Sequence, residues 1–276
     1  MDSWGWSAAQ RLRWIEQCLE LQISSFDHAD IYGDYRVQGL FGEALALQPG
    51  LRKRLQLVGK CGIRLLSSAR PAHRVKSYDT SAAHIIASVE QSLRELRTDR
   101  LDLLLIHRPD PLMEAQEVAQ AVHALQRAGK VLHFGVSNFT PAQFELLHAA
   151  LPLATNQIEL HPLHREPLHD GTLDQLQRLQ RRPMIWSPLA GGRLLHGEDE
   201  AAWRVRHALQ SVAQRLQRDP AVIALAWVLR HPSRPVPVTG SREVGKLQQA
   251  TEALSFRLSA EDWAALWQAG AGHELP

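Results

Sequence analysis

The chain has 276 residues, 45% of them hydrophobic, which is enough for a sizeable core, and a formal charge of +2 with its Lys and Arg scattered along the sequence. That near balance speaks against a nucleic-acid or membrane surface while leaving room for an anionic ligand. Two cysteines (Cys18, Cys61) make no disulfide framework, Met1-Asp2-Ser3-Trp4-Gly5-Trp6 is no signal peptide, and no apolar stretch reaches membrane-spanning length, so a soluble cytoplasmic protein is expected.

In chain order, apolar residues at helical period mark 8–21 (Leu12, Ile15, Leu19), followed by short β-rich runs at 22–27 and 55–60. A helix at 83–97 (Ile86, Val89, Leu93, Leu96) precedes a strand at 101–107, and a helix at 113–128 (Val118, Val122, Leu125), closed by Gly129, precedes a strand at 132–137. Thr140-Pro141 and Asp219-Pro220 each read as an N-cap with proline at the first helical position. Further strands are expected at 154–160, 184–187 and 235–239, and Ser259 with Asp262 reads as a capping box for the last helix. The strand runs are dense enough in apolar residues to be buried on both faces.

Seven strands, each followed by a helix, imply a parallel sheet. Barrels of roughly 250 residues commonly form one domain, so residues 1–276 are read as a single (β/α) barrel of the TIM type. An eight-stranded closure needs one more strand, and residues 1–7 are too short and too rich in Gly, Trp and Ser to supply it. The expectation is a barrel short of its first strand.

Three strand ends carry chemistry. Phe26-Asp27-His28-Ala29-Asp30-Ile31-Tyr32-Gly33 follows the first run, Lys60 ends the second, and His107 ends Leu101-Asp102-Leu103-Leu104-Leu105-Ile106-His107. In a parallel barrel the C-terminal strand ends form the reactive face. A free tyrosine, with a pKa of about 10, is a weak acid at neutral pH. A neighbouring ammonium favours its ionised form, and a carboxylate paired with that ammonium keeps it charged. Asp27, Tyr32 and Lys60 are the right types for such a proton donor, and His107 suits the orientation of a carbonyl. Tyr32 stands nearest a strand end among the three tyrosines. The plainer reading of a strand-end Asp is a turn or cap residue; a lysine ending an apolar strand is harder to explain that way.

A second set suits a bound cofactor. Ser137, Asn138 and Gln157 can hydrogen-bond an amide, although Ser and Asn also simply begin a turn. Trp186, in Trp186-Ser187-Pro188-Leu189, can stack on a flat ring or fill the core. Thr239-Gly240-Ser241-Arg242-Glu243-Val244-Gly245-Lys246 is a small-residue turn entering a helix after the last strand, a frequent phosphate position. There is no G-x-G-x-x-G and no P-loop motif. His161, His164 and His169 lie close together in a proline-containing loop without a second ligand cluster, so no metal site is expected.

With these residues assembled, the chain resembles the aldo-keto reductases, in particular their YdhF-like bacterial oxidoreductase branch, from about Ser7 to the C-terminus. The resemblance rests on Asp27-x-Ala-x-x-Tyr32-Gly33, on 101–111, on Gly135-Val136-Ser137-Asn138-Phe139 and on Trp186-Ser187-Pro188-Leu189, taken in order. It implies a (β/α)8 barrel binding NADPH and reducing small aldehydes or ketones. Tyr32 would be the acid, Lys60 and Asp27 its ion pair, and His107 the substrate-orienting histidine. Ser137, Asn138 and Gln157 would meet the nicotinamide carboxamide, and Trp186 would stack on the ring. Ser187, Leu189, Gly240, Ser241, Arg242, Lys246 and Gln249 would meet the phosphates and adenine ribose. Lys246 stands where many members have Arg, which weakens the argument for NADPH over NADH. Members also carry an N-terminal hairpin and a first strand that this chain lacks, so an upstream start or a truncated, inactive form is the alternative, beside a cofactor-binding regulatory subunit of the same fold. Substrate identity and oligomeric state stay open.

Overall fold

Ser7 starts the first element: its hydroxyl accepts from the backbone of Gln10 (3.3 Å), and the Gln10 side chain accepts from the Ser7 backbone (2.8 Å). This reciprocal cap opens helix α1 (Ala8–Glu20), which buries Ile15, Cys18 and Leu19. The computed structural model describes residues 4–275, and the chain divides between Asn156 and Gln157 into two units.

In the first unit, strand β1 (Ser25–Asp27) leads to a short turn, α2 (Tyr32–Tyr35), and then to helix α3 (Val37–Leu47). Gly33, Asp34 and Tyr35 of α2 all adopt left-handed backbone (φ 58°, 55° and 64°), so the turn is wound opposite to an ordinary helix. For the two non-glycine residues this costs about 1–2 kcal/mol each. Strand β2 (Gln56–Cys61) follows, and then a small antiparallel hairpin, β3 (Ile63–Arg64) with β4 (Ser77–Tyr78), in a segment with no strand signal in the sequence.

Helix α4 (Ala82–Leu96), strand β5 (Leu101–Ile106), helix α5 (Ala115–Arg127), strand β6 (Val131–Ser137) and helix α6 (Pro141–Ala150) complete the unit. β1, β2, β5 and β6 lie side by side in that order, all parallel, with Lys60 opposite Leu105 and Ile106 opposite Val136. α4 buries Ile85, not Ile86, because Ile85 lies four residues before Val89 and eight before Leu93, on the same face of the helix. A Cβ on Gly42 of α3 would sit 1.9 Å from the carbonyl oxygen of Glu95, so only glycine permits that approach.

The division between the units falls within β7 (Asn156–Glu159). The second unit continues with α7 (Thr172–Arg178), β8 (Met184–Trp186), α8 (Arg193–His196), α9 (Glu200–Leu216), α10 (Pro220–Leu229), β9 (Val236–Pro237), α11 (Val244–Thr251) and α12 (Ala260–Ala271). β7, β8 and β9 are parallel neighbours. All seven expected strands are thus present, five of them trimmed at their ends, whereas β2 runs one residue further to Cys61 and β6 starts one residue earlier at Val131; no strand precedes α1 among the described residues.

α10 is apolar all round, burying Val222 through Val228 continuously, as a core helix does. Its Trp227 stacks on Trp263 of α12 with ring centroids 5.1 Å apart, and each indole N–H donates to the other residue's backbone carbonyl at 3.0 Å. At the start of α12 the expected capping box is half formed. The Ser259 hydroxyl accepts from the Asp262 backbone (2.9 Å), but the Asp262 carboxylate accepts from that hydroxyl and from Arg215 instead of returning to the cap backbone.

Candidate active site

Four side chains gather at the C-terminal ends of β1, β2 and β5. Asp27 is the last residue of β1, Lys60 lies near the end of β2, and His107 follows β5, where its N–H donates to the Cys61 carbonyl (2.8 Å). Tyr32 arrives from the loop after β1. The Lys60 ammonium, with its side chain 0% exposed, donates to Asp27 Oδ2 (2.5 Å), to the His28 carbonyl (3.0 Å) and to Tyr32 Oη (3.1 Å). A lysine ammonium has three N–H donors, and three acceptors take them.

In its bond to Lys60 the Tyr32 oxygen therefore accepts, which leaves the phenol proton directed to another partner. The Tyr32 and His107 rings meet edge-on, 5.7 Å apart. Burial first, and the charges of Lys60 and Arg108 next, lower the His107 imidazole to about 3, so it is neutral at physiological pH, and its Nδ1 is buried without a partner.

Asp27 and Asp30 both lie in the loop motif, and geometry separates them. Asp30 turns to helix α4, where Oδ2 accepts from the Ser88 hydroxyl (2.7 Å), while its own N–H donates to the Lys60 carbonyl (3.1 Å). Burial pushes the Asp30 carboxyl up to about 6. His28, between them, is fully buried with both ring nitrogens unpartnered; burial first, then the Lys60 charge, lowers it to about 3.

At the end of β6, buried Ser137 and left-handed Asn138 (φ 62°) are linked: the Asn138 amide donates to Ser137 Oγ (2.8 Å) and to the His107 carbonyl (3.3 Å). Asn156, a residue without a separate sequence signal, fixes this turn by accepting from the Phe139 N–H (3.3 Å) and donating to its carbonyl (2.8 Å).

In the second unit, Gln157 is buried on β7, with Nε2 4.0 Å from the Met184 sulfur. Trp186 ends β8 half-buried, Ser187 has φ 49°, and half-buried Leu189 packs against the apolar core. After β9, Gly240 and Arg242 are exposed, and Ser241 Oγ accepts from the Glu243 N–H (3.1 Å) just before α11. Lys246 donates to Glu243 (2.8 Å), and half-buried Gln249 lies three residues on. A Cβ at Gly240 or Gly245 would meet nothing within 4 Å, so the turn leaves open space flanked by Arg242 and Lys246. A small-residue turn with two cations at a helix start has the donor chemistry for a phosphate group, although one cation is engaged by Glu243.

The histidine loop is tied internally: His161 Nε2 lies 3.0 Å from Glu159 Oε1, and His161 and His164 exchange backbone hydrogen bonds. Cys18 and Cys61 are buried free thiols, both raised by burial, Cys18 to about 12. No described helix is long and apolar enough to cross a membrane.

Comparison with known proteins identifies the family. The model of the Aldo/keto reductase family matches residues 2–270, and the chain belongs to that family. It is 49% identical to oxidoreductase YdhF of Escherichia coli K12 over 276 residues, covering 99% of this chain and 91% of that protein. It is 43% identical to a 6-dehydroglucose reductase of Agrobacterium fabrum over 263 residues, covering 95% and 88%. Among solved structures, an aldo/keto reductase of Klebsiella pneumoniae in complex with NADP and acetate superposes with a TM-score of 0.77 at 28% identity, over 95% of this chain and 87% of that one. The fold class is the TIM-type barrel of these enzymes, and the chain is an oxidoreductase of the family.

Proposed function

We propose that this oxidoreductase reduces an aldehyde or ketone to the alcohol with NADPH, Tyr32 being the general acid. The observation that carries this reading is the Lys60 ammonium, whose three donors are taken by Asp27, the His28 carbonyl and Tyr32 Oη. Bound NADPH supplies the hydride. Tyr32 gives its proton to the carbonyl oxygen as negative charge develops there, and Lys60, donating to the same phenolic oxygen, stabilises the charge left behind. Asp27 holds Lys60 in place and balances it. Neutral His107 orients the carbonyl by hydrogen bonding and takes no part as an acid, because burial keeps it unprotonated.

Ser137, Asn138 and Gln157 are each assigned, on the family resemblance, to the carboxamide of the nicotinamide. Trp186 is assigned to its ring, with Ser187, Leu189, Gly240, Ser241, Arg242, Lys246 and Gln249 assigned to the phosphates and adenine ribose. The Klebsiella relative's NADP supports the cofactor class. The Agrobacterium relative's name supports a sugar-derived aldehyde as the substrate class. Two free buried thiols suit a reducing compartment, and we place the enzyme in the cytoplasm without nucleic-acid or membrane partners. Tyr32→Phe removes the proton donor and is expected to lower kcat by about 10²–10⁴-fold while NADPH binding, followed by quenching of tryptophan fluorescence, is retained. Near-native turnover in that variant would remove Tyr32 from the role.

A further inference from the structure

The segment from Gly62 to Tyr78, which follows Lys60 almost directly and forms the β3–β4 hairpin and its loop, contains Arg64, Arg70, Arg74 and Lys76 and no carboxylate. The whole chain is only +2, so without this segment it would be net acidic. Arg64 lies 3.5 Å from Asp79. Arg70, Arg74 and Lys76 form no ion pair among the described residues.

This loop is fastened to the segment that carries the general acid. Tyr35, the last residue of the left-handed turn that begins beside Tyr32, accepts from the Leu65 N–H through its hydroxyl (3.0 Å). The Arg70 guanidinium lies over the same ring, 4.5 Å from its centroid. His73 closes the loop on itself, with Nδ1 2.9 Å from the Leu65 carbonyl. The Arg70 charge also reaches Asp30 on the other side of Tyr32. Two strained backbone positions therefore hold an aromatic platform three residues from Tyr32, and that platform holds a cation without a direct counter-ion. Strain that persists at such a place signals a function for the geometry it maintains. The loop is also not a purely solvated charge surface, because Leu66 and Val75 stand 61% and 64% exposed among the cations.

We propose that Arg70, posted on Tyr35, recognises an anionic group of the carbonyl substrate, so that the enzyme prefers aldehydes bearing a carboxylate or phosphate over neutral ones. The inference rests on the reductase reading and names the substrate class of the same site. Arg70 is the specificity-determining residue, with Arg74 and Lys76 adding to the local field that draws the anion in. Arg70 Nη1 donates to the Ala69 carbonyl (2.9 Å); stacked on the ring, the guanidinium keeps its other in-plane N–H groups to face an oxyanion, which a lysine there would not do equally well. The anion of the cofactor is the competing occupant, and the test separates the two.

The test compares 4-carboxybenzaldehyde with methyl 4-formylbenzoate, which differ by one charge, as substrates of the full chain with saturating NADPH. Beside it, calorimetry measures binding of 4-(hydroxymethyl)benzoate and of the neutral 4-(hydroxymethyl)benzamide in the presence of NADP⁺. The expected result is a preference of about tenfold for the carboxylate in both arms, expressed in KM and Kd rather than kcat, shrinking as salt is raised. Arg70→Ala should abolish the preference, Arg70→Lys should restore part of it, and NADPH affinity should stay the same in both variants. An equal affinity for the two alcohols, a preference that survives Arg70→Ala, or a loss of NADPH binding in that variant would each overturn the proposal. Glyceraldehyde 3-phosphate against glyceraldehyde then tells phosphate from carboxylate. Absence of turnover with both aldehydes, alongside an intact preference in calorimetry, would refute the reductase reading and leave the anion site standing.

Discussion

Acid should unfold this protein through two histidines, and one substitution should remove half of the effect. His28 and His107 are both held near 3 by burial, against about 6.5 in an unfolded chain. Their folded values are lowered, so the unfolded state binds the proton first; full stability is present above pH 6.5 and is lost as pH falls toward 3. Each such histidine costs about 1.4 kcal/mol per pH unit in that window, hence about 2 kcal/mol at pH 5. The pair then removes about 4 kcal/mol between pH 7 and pH 5, a large part of a typical total of about 5–15 kcal/mol. His28→Leu keeps the bulk against Phe41, whose ring lies 4.5 Å away, and removes one titrating group. Urea unfolding followed by circular dichroism at the two pH values should show the pH-dependent loss fall by about 2 kcal/mol in the variant. An unchanged loss would mean that His28 does not titrate in the unfolding transition, and the argument from burial would fail.

Other expectations concern the ion pair and the packing. Asp27→Asn keeps a hydrogen bond to Lys60 but strips the charge from the buried ammonium's partner; a melting temperature lower by about 4–12 °C, for a cost of about 2–3 kcal/mol, should accompany a fall in kcat. Melting and turnover both equal to wild type would show that Lys60 does not depend on Asp27. Gly42→Ala forces a Cβ into the Glu95 carbonyl at 1.9 Å, so thermal denaturation should show a loss of about 1–3 kcal/mol or an insoluble product. A stable, soluble variant would mean that α3 and α4 separate at little cost.

The sequence was most informative where burial on both faces makes a strand a continuous apolar run. β2 and β5 were found that way, and the polar residue interrupting the end of each run was the catalytic candidate. The resemblance puts Asp27 in the ion pair with Lys60, and in the structure Asp27 meets Lys60 while Asp30 accepts from Ser88. Less was visible where local signals are weak. β3 and β4 are two residues each in a stretch of Arg, Ser and Pro, held by a tyrosine from elsewhere in the chain. The left-handed turn was not visible, because Asp34 and Tyr35 adopt that backbone only under tertiary constraint. Asn156 gave no sign either, since a buried amide that pins a turn resembles any polar residue inside a strand.

The Trp227–Trp263 clasp has a genetic consequence. Its two halves lie on α10 and α12, and each supplies both a ring and a carbonyl to the other. A nonsense codon between 250 and 263 would leave every residue assigned to catalysis or cofactor encoded, yet strand the indole of Trp227 beside an empty slot with its N–H unmet. Lesions at the far 3′ end of the reading frame should therefore score as null alleles, on a par with loss of Lys60, although they lie past Gln249, the last residue assigned to the cofactor.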